Sequence, residues 1–249
     1  MLNKQFMKGL RLKRATVPSF DAYPFDLPSI RTLDELDFHP KVTFFVGENG
    51  MGKSTLLEAS AVAAGFNPEG GSLNFNFSTY DSHSVLEEYI TMIKGVRRPT
   101  DGFFLRAETF YNLATMIEEL DSAPGPSPRI IDGFGGVSLH EQSHGESFWA
   151  TFIHRFRGNG IYSLDEPEAA LSPMRQLAML SRIHDLVCEG SQFIIATHSP
   201  ILLAYPDAKI VEFTDEGAQV TTLEETSHYQ IMKQFFDDKD RMLHHLFNE

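Results

Sequence analysis

The sequence predicts an α/β fold in which helices cover a largely parallel central sheet. Three short apolar runs have the length and composition of buried strands, at 42–46 (VTFFV), 160–164 (GIYSL) and 192–196 (QFIIA). Patterns with helical apolar spacing lie between these runs and after the last of them. Strands that are apolar on both faces and alternate with helices are typical of parallel sheets.

Capping residues and glycines set the expected ends of the helices. Gly65 ends a helical pattern at 53–64, and Ser172-Pro173 caps a helix that runs to Glu189. Further helices are predicted at 84–94, 109–120, 146–156 and 227–247, a strand at 102–105, a hairpin at 209–223 and a loop at 122–128. We expect a single domain over 1–249, with a more helical lobe at about 66–145 inserted between the first two core strands.

The charge balance argues against a surface that is basic throughout and coated with nucleic acid. The chain has 34 acidic and 21 basic side chains and a net charge of −13. The local basic cluster Lys8, Arg11, Lys13 and Arg14 leaves a smaller nucleic-acid site open, although a solvated edge is the simpler explanation.

Cysteine content and hydropathy indicate a cytoplasmic protein. The one cysteine, Cys188, cannot form a disulfide within the chain, and its apolar helical setting predicts burial. No segment approaches the roughly 18 uninterrupted apolar residues of a membrane span, and the N-terminus has no signal-peptide pattern. We therefore expect no membrane insertion, and contact with a membrane machine only through a partner.

Residues 47–54 (GENGMGKS) fit the phosphate-binding pattern G-x-x-x-x-G-K-[ST]. Glycines allow backbone N–H groups to turn inward onto phosphate oxygens, and the following helix adds its positive N-terminal end. Lys53 supplies charge for the β- and γ-phosphates, and Ser54 supplies a hydroxyl ligand for Mg²⁺. The pattern predicts ATP and Mg²⁺ as cofactors, with nucleotide contacts from Gly47, Glu48, Asn49, Gly50, Met51, Gly52, Lys53, Ser54 and Thr55.

Two acids follow the second apolar run directly. Carboxylates at the carboxyl end of a strand lie where open α/β sheets bind their ligands. We expect Asp165 to hold Mg²⁺, directly or through water, and Glu166 to act as general base on the attacking water.

Four segments together resemble the motifs of ABC-type ATPases: 47–54 the Walker A motif, 143–146 (SHGE) the signature, 165–168 (DEPE) the Walker B motif and D-loop, and 197–200 (THSP) the switch histidine. More narrowly, the chain resembles the small stand-alone bacterial predicted AAA family ATPases, which are related to SMC- and RecF-like heads. The resemblance runs from about 42 to 206 in the expected motif order. It implies a P-loop NTPase fold of the ABC-ATPase type, and ATP hydrolysis.

The resemblance also implies roles for individual residues. Ser143, Gly145 and Glu146 would contact the γ-phosphate of ATP held by a second copy, although His144 replaces the first glycine of the usual signature. Residues 168–172 would cross that dimer interface. His198 would bind the γ-phosphate and complete a catalytic set with Lys53 and Glu166. The alternative for His140 and His144, four positions apart, is a metal pair or no function at all.

Two positions of the family pattern stay open. No glutamine lies between 54 and 141, so Glu108 is the candidate to orient Mg²⁺ or water in place of the usual Q-loop glutamine. A surface salt bridge with Arg106 beside it explains Glu108 equally well. The sequence does not place the aromatic residue that would stack on adenine, for which Phe6, Tyr23 and Phe25 are candidates.

Three functions remain open. The first is a soluble ATPase switch that forms an ATP-dependent homodimer and controls a protein effector, in phage defence or DNA maintenance. The second is the nucleotide-binding subunit of an ABC transporter. The third is a module that binds ATP only for assembly, against which Glu166 argues.

Overall fold

A seven-stranded sheet forms the centre of the molecule in the computed structural model, which describes residues 5–72, 84–107, 109–122 and 128–247. Its strands are β3 (Val42–Gly47), β4 (Gly71–Ser72), β6 (Asp101–Arg106), β7 (Gly160–Asp165), β8 (Gln192–Ala196), β9 (Lys209–Thr214) and β10 (Gly217–Thr221). The spatial order is β10-β9-β3-β8-β7-β6-β4. The five inner strands are parallel, and β4 and β10 are antiparallel edges. The predicted α/β fold with a largely parallel sheet is confirmed.

A second, antiparallel sheet has the order β2-β1-β5, formed by β1 (Met7–Leu12), β2 (Glu35–Asp37) and β5 (Ile90–Lys94). The helices are α1 (Pro28–Arg31), α2 (Lys53–Ala64), α3 (Phe110–Ser122), α4 (His144–His154), α5 (Pro173–Cys188), α6 (Pro200–Leu203), α7 (Ser227–Asp237) and α8 (Lys239–Phe247). In the described ranges, no helix combines the length and the apolar composition that crossing a bilayer needs.

The central strands are buried on both faces because a different layer covers each face. Phe44, Tyr162 and Phe193 pack on the side of α3, α4 and α5. Phe45 and Ile194 pack on the opposite side, with α2 and the antiparallel sheet. Burial on both faces explains why these strands are continuous apolar runs rather than alternating ones.

Most element boundaries agree with the sequence predictions, including Gly65, which ends α2 with a left-handed φ of 112°. The predicted helix at 84–94 is wrong, since residues 85–89 form a 3-10 helix and β5 follows. Its apolar spacing suits a helix, but pairing of β5 with β1 decides the structure. The interval 66–145 therefore contributes strands to both sheets besides α3. The predicted loop at 122–128 falls largely on 123–127, outside the described residues.

The prediction that Cys188 is buried is also wrong. Cys188 is exposed at the end of α5, with its sulfur 3.6 Å from Nε2 of His184. The inward face of α5 is occupied by Met179, Ile183 and Leu186, and Cys188 lies off that stripe.

Gln192 fastens the antiparallel sheet to the central sheet. Its buried side-chain oxygen accepts hydrogen bonds from the backbone N–H groups of Phe6 (3.1 Å) and Met7 (2.9 Å). Its amide nitrogen donates to the carbonyl oxygens of Met7 (2.7 Å) and His39 (2.9 Å). One side chain thus satisfies four backbone groups of two segments far away in the chain.

Gln192→Leu should lower the free energy of unfolding by about 3 kcal/mol, because leaving buried backbone groups without partners costs about 1–3 kcal/mol each before relaxation. Urea denaturation measures the change. The control is Gln219→Leu on the exposed face of β10, which should cost less than about 0.5 kcal/mol. Equal losses in the two variants would contradict the structural role of Gln192.

Candidate functional site

The carboxyl ends of three adjacent strands bring the predicted motifs to one edge of the sheet. Phe45 of β3 pairs with Ala196 of β8, and Ala196 pairs with Asp165 of β7. The chain leaves these strands as the predicted phosphate-binding loop, as Thr197-His198 and as Asp165-Glu166. The fold therefore collects residues that are more than a hundred positions apart in the sequence.

Two glycines of the phosphate-binding loop are required by close contacts. Gly47 has a φ of 142°, and a Cβ atom there would lie 2.3 Å from the carbonyl oxygen of Phe213. Gly52 has a φ of 90° and precedes α2, and a Cβ atom there would lie 2.7 Å from Oγ of Ser29. Ser29 in turn donates to the carbonyl oxygen of Met51 at 2.7 Å. The loop is held in shape by backbone geometry that only glycine tolerates.

Lys53 opens α2 and is only 4% exposed. Its ammonium group donates to the carbonyl oxygens of Gly47 (2.7 Å) and Glu48 (2.8 Å), so it lies inside the loop. Burial lowers the pKa of Lys53, and the nearby carboxylates of Glu166 and Asp165 oppose that shift. A buried cation is thus placed where the pattern expects phosphate oxygens.

Ser54 and Asp165 meet across the gap between α2 and β7. Oγ of Ser54 donates to Oδ1 of Asp165 at 2.8 Å, and Asp165 is 5% exposed. A hydroxyl and a carboxylate oxygen are hard ligands of the kind that Mg²⁺ uses beside phosphate and water. The pair fits the predicted metal position.

Arg106 lies on the other side of Asp165. The two residues are paired in register on β6 and β7, and Nε of Arg106 is 3.8 Å from Oδ2 of Asp165. The guanidinium also contacts the carboxylate of Glu58 on α2, and both side chains are mostly buried. Arg106 therefore takes part in an interior ion pair at the site. Glu108, the third predicted metal ligand, lies outside the described residues.

Glu166 has an unusual backbone conformation. Its φ is 48°, a left-handed value that few non-glycine residues adopt, and its N–H donates to the carbonyl oxygen of Ala196 at 2.9 Å. Its Oε1 lies 3.6 Å from Nε2 of His198. Such local strain is common at functional sites, where the surrounding structure holds it in place.

Two neighbours fix His198. Its backbone N–H donates to Oε1 of Glu168 at 2.6 Å, and burial raises the pKa of Glu168. Its Nδ1 lies 2.8 Å from Nε2 of His228, in the first turn of α7. Burial first, and Lys53 second, lower the pKa of His198 to about 4, so the ring is neutral near neutral pH.

An open cleft is lined by Glu48, Asn49, Glu166, His198 and His228. His228 is the residue of this cleft that sequence reasoning missed. The segment 227–247 predicted only an amphipathic helix, and no motif marks a histidine that reaches the site from a distant element.

The predicted signature residues form a separate, exposed group. Ser143 precedes α4, and its N–H and Oγ both donate to Oε2 of Glu146, at 3.1 and 2.6 Å. These bonds lower the pKa of Glu146. Gly145 packs so closely that a Cβ atom would lie 2.5 Å from the carbonyl oxygen of Ala170. Among the described residues, no hydrogen bond joins this group to Lys53, Asp165 or His198.

The structure does not support a metal site formed by His140 and His144. His140 Nε2 lies 3.1 Å from Oγ1 of Thr115, and its ring contacts Tyr111 edge-on. The side chain of His144 is outside the described atoms. In the described part of the chain, no group of three or more His, Cys, Asp or Glu side chains could hold a metal ion.

Of the three aromatic candidates for adenine, Phe6 and Phe25 are each only 3% exposed and belong to the core. Phe25 packs edge-on against Tyr89. Tyr23 is 64% exposed, and its hydroxyl lies 3.5 Å from Oγ1 of Thr55 on α2. Only Tyr23 presents a ring surface beside the phosphate-binding loop.

Comparison with known sequences agrees with the motifs. A family profile described as an AAA domain matches residues 27–100. The chain is 27% identical over 185 residues to "ABC transporter G family member STR2" of Medicago truncatula, covering 67% of this chain and 25% of that protein. It is 26% identical over 212 residues to "Cytochrome c biogenesis ATP-binding export protein CcmA" of Rhodopseudomonas palustris (strain BisB5), covering 82% and 96%. The chain therefore spans a quarter of the first relative and nearly all of the second.

Comparison with a solved structure gives the same fold. A metal-chelate type ABC transporter in an inward-facing conformation superposes with a TM-score of 0.51 at 15% identity, covering 92% of this chain and 88% of that one. The SMC head domain from Thermotoga maritima superposes with a TM-score of 0.46 at 14% identity, covering 88% and 99%.

The lowered pKa of His198 predicts a pH dependence of stability. Its folded pKa of about 4 lies below the ordinary value of 6.5, so the unfolded chain binds the proton first as pH falls. Its contribution to stability is present above pH 6.5 and is lost between 6.5 and about 4. His198→Gln should therefore lose less stability than wild type over that window, measured by urea denaturation. The control, His245→Gln on the exposed face of α8, should keep the wild-type slope, and the same slope in His198→Gln would contradict the shift.

Proposed function

We propose that this chain, which has the fold and motif order of the ABC-type P-loop ATPases, binds ATP with Mg²⁺ and hydrolyses it at sites shared by two copies. One observation carries the proposal. Buried Lys53, the Ser54–Asp165 pair at 2.8 Å and the Glu166–His198 pair at 3.6 Å converge on one edge of a parallel sheet. Open α/β sheets bind their ligands at that edge.

The phosphate-binding loop accounts for nucleotide binding. Backbone N–H groups of 47–52 and the N-terminus of α2 provide hydrogen bonds and positive potential for the phosphates. Lys53 adds a full charge in a buried position, where electrostatic attraction is stronger than in water. Ser54 and Asp165 would hold Mg²⁺, which when bound neutralises part of the phosphate charge.

Glu166 and His198 account for the chemistry. The Glu166 side chain is 42% exposed and borders the cleft, so it can orient a water molecule and accept its proton as general base. His198, neutral because its pKa is lowered, can donate a hydrogen bond to the γ-phosphate without a charge of its own. In this assignment Glu168 positions His198 through its backbone N–H.

The exposed signature group supports a shared site. Ser143 and Glu146 lie at the N-terminus of α4 without a bond to their own nucleotide loop in the described residues, and Gly145 packs against Ala170 of the segment after Glu168. The signature and the predicted interface segment thus form one surface. A two-fold, head-to-tail pair would place this surface of each copy on the nucleotide of the other.

The cycle then acts as a switch, because ATP is contacted by both copies and hydrolysis removes the phosphate that joins them. We propose a cytoplasmic protein whose homodimer controls a protein effector, in phage defence or DNA maintenance. The alternative is a transporter's nucleotide-binding subunit, which the 96% coverage of the CcmA relative favours.

Glu166→Gln should lower the ATP hydrolysis rate by about 100-fold or more, because the amide cannot accept the proton from water. The variant should still bind ATP and accumulate as a dimer, measured by size-exclusion chromatography with light scattering. Glu216→Gln, in the exposed turn between β9 and β10, is the control and should behave as wild type. A Glu166→Gln protein that hydrolyses ATP normally and stays monomeric with ATP would overturn the shared-site proposal.

Lys53→Ala should weaken ATP binding by about 10- to 100-fold, the loss expected for a charge-assisted hydrogen bond. Isothermal titration calorimetry of the nucleotide-free protein measures it. Lys8→Ala on the exposed side of β1 removes an equal charge away from the loop and should leave the affinity unchanged. Unchanged affinity in Lys53→Ala would refute the assignment of the phosphate-binding loop.

A further inference from the structure

We propose that His228 is a positioning residue for hydrolysis, which donates from Nε2 to Nδ1 of His198 and so holds the proton of His198 on Nε2, facing the phosphate cleft. The inference rests on the proposed function, because it assigns how the γ-phosphate contact of His198 is prepared. It adds a residue from α7, outside the four motifs.

The geometry of the two rings carries the inference. Nδ1 of His198 and Nε2 of His228 are 2.8 Å apart, and the ring planes are tilted by 58° with centroids 4.9 Å apart. Nε2 of His198 and Nδ1 of His228 are buried, and neither has a hydrogen-bond partner among the described residues. Both side chains line the cleft beside Glu166. The hydrogen bond at Nδ1 therefore leaves Nε2 of His198 without a hydrogen-bond partner in the described residues, at the wall of the cleft and 3.6 Å from Oε1 of Glu166.

The direction of the hydrogen bond follows from the charges around it. If His198 donated, its Nε2 would present a lone pair to Glu166 Oε1 at 3.6 Å and to the phosphate in the cleft. If His228 donates, Nε2 of His198 carries a hydrogen that both acceptors attract. The bond at one imidazole nitrogen fixes the proton on the other. Oε1 of Glu166 and the phosphate of the proposed function thus favour His228 as the donor.

Both rings are neutral in this arrangement, because His198 must accept at Nδ1 the hydrogen bond that His228 donates from Nε2. Burial lowers the pKa of each ring, and the positive charge of Lys53 adds to the effect in both. Glu212 and Glu48 act in the opposite sense on His228. The charged groups that face the pair from the phosphate-binding loop, β9 and the end of β7 are therefore Lys53, Glu48, Glu212 and Glu166.

Polar contacts hold the first turn of α7 against β9. The backbone N–H and Oγ of Ser227 both donate to Oε1 of Glu212 on β9, at 3.0 and 2.9 Å. Thr226 caps the helix by accepting from the N–H of Tyr229. None of the residues of α7 is buried, so these polar contacts and the His228–His198 bond hold its start to the body of the protein.

The kinetic test compares His228→Phe, which keeps a ring without a donor, with His228→Gln, whose amide N–H can replace the Nε2–H group. In steady-state hydrolysis, kcat of His228→Phe should fall about tenfold, the equivalent of one lost hydrogen bond, while KM for ATP changes less than about twofold. His228→Gln should recover most of kcat. His245→Phe, exposed on α8, is the control and should match wild type. Unchanged kcat in His228→Phe, or equal losses in both His228 variants, would overturn the inference.

A second readout does not depend on turnover. Nitrogen-15 NMR of the imidazoles in nucleotide-free protein near neutral pH should show His198 protonated on Nε2 in wild type and His228→Gln. In His228→Phe this tautomer should no longer be fixed. Protonation of His198 on Nδ1 in wild type would refute the inference. A wild-type protein with the expected tautomer but no ATP hydrolysis would instead refute the proposed function, so the two failures are distinguishable.

Discussion

The parallel register of β3, β8 and β7 is the constraint on which the site depends. Phe45, Ala196 and Asp165 lie side by side across the three strands, so the loops that follow start at the same level. The side-chain period of a strand is two residues, and two residues span about 6.6 Å. A slip that kept each side chain on its own face of the sheet would move Asp165 by at least that distance. It would break the 2.8 Å bond to Ser54, so the same apolar pattern that builds the core also sets the geometry of the site.

The charges at this edge of the sheet explain why the proposed nucleotide would bind together with a divalent cation. Lys53 is surrounded by the carboxylates of Glu166, Asp165, Glu168 and Glu48, which raise its pKa against the effect of burial. A polyphosphate placed on these acids alone would be repelled by them. A divalent cation on Ser54 and Asp165 reverses the sign of the local potential. Arg106 is a further cation beside Asp165. Its charge is balanced by the buried carboxylate of Glu58.

Local patterns predicted the fold class and the strand, glycine turn and helix around 47–54, because the information they need is contiguous. The glycines at 47 and 52 mark backbone conformations set within a few residues, and Gly65 ends α2 for the same reason. Long-range pairings were not predictable in the same way. The apolar residues of 84–94 fit a helical period, and only β1, some eighty positions earlier, makes 90–94 a strand. Gln192 likewise gives no local sign that it binds Met7, 185 positions away.

His228 shows what such long-range contacts add to a site that motifs describe only in part. Two tautomers of a neutral imidazole differ little in free energy in water, and a hydrogen bond contributes about 1 kcal/mol, which changes a population ratio about fivefold. The 2.8 Å contact with His228 therefore suffices to bias the proton position of His198, and the ring orientation with it. A phosphate oxygen gains from His198 only if Nε2 carries the hydrogen. The same bond joins the start of α7, which has no buried residue of its own, to the carboxyl edge of the central sheet. In the proposed function this hydrogen bond prepares His198 for the phosphate, and together with the contacts of Ser227 with Glu212 it attaches the start of the C-terminal helices.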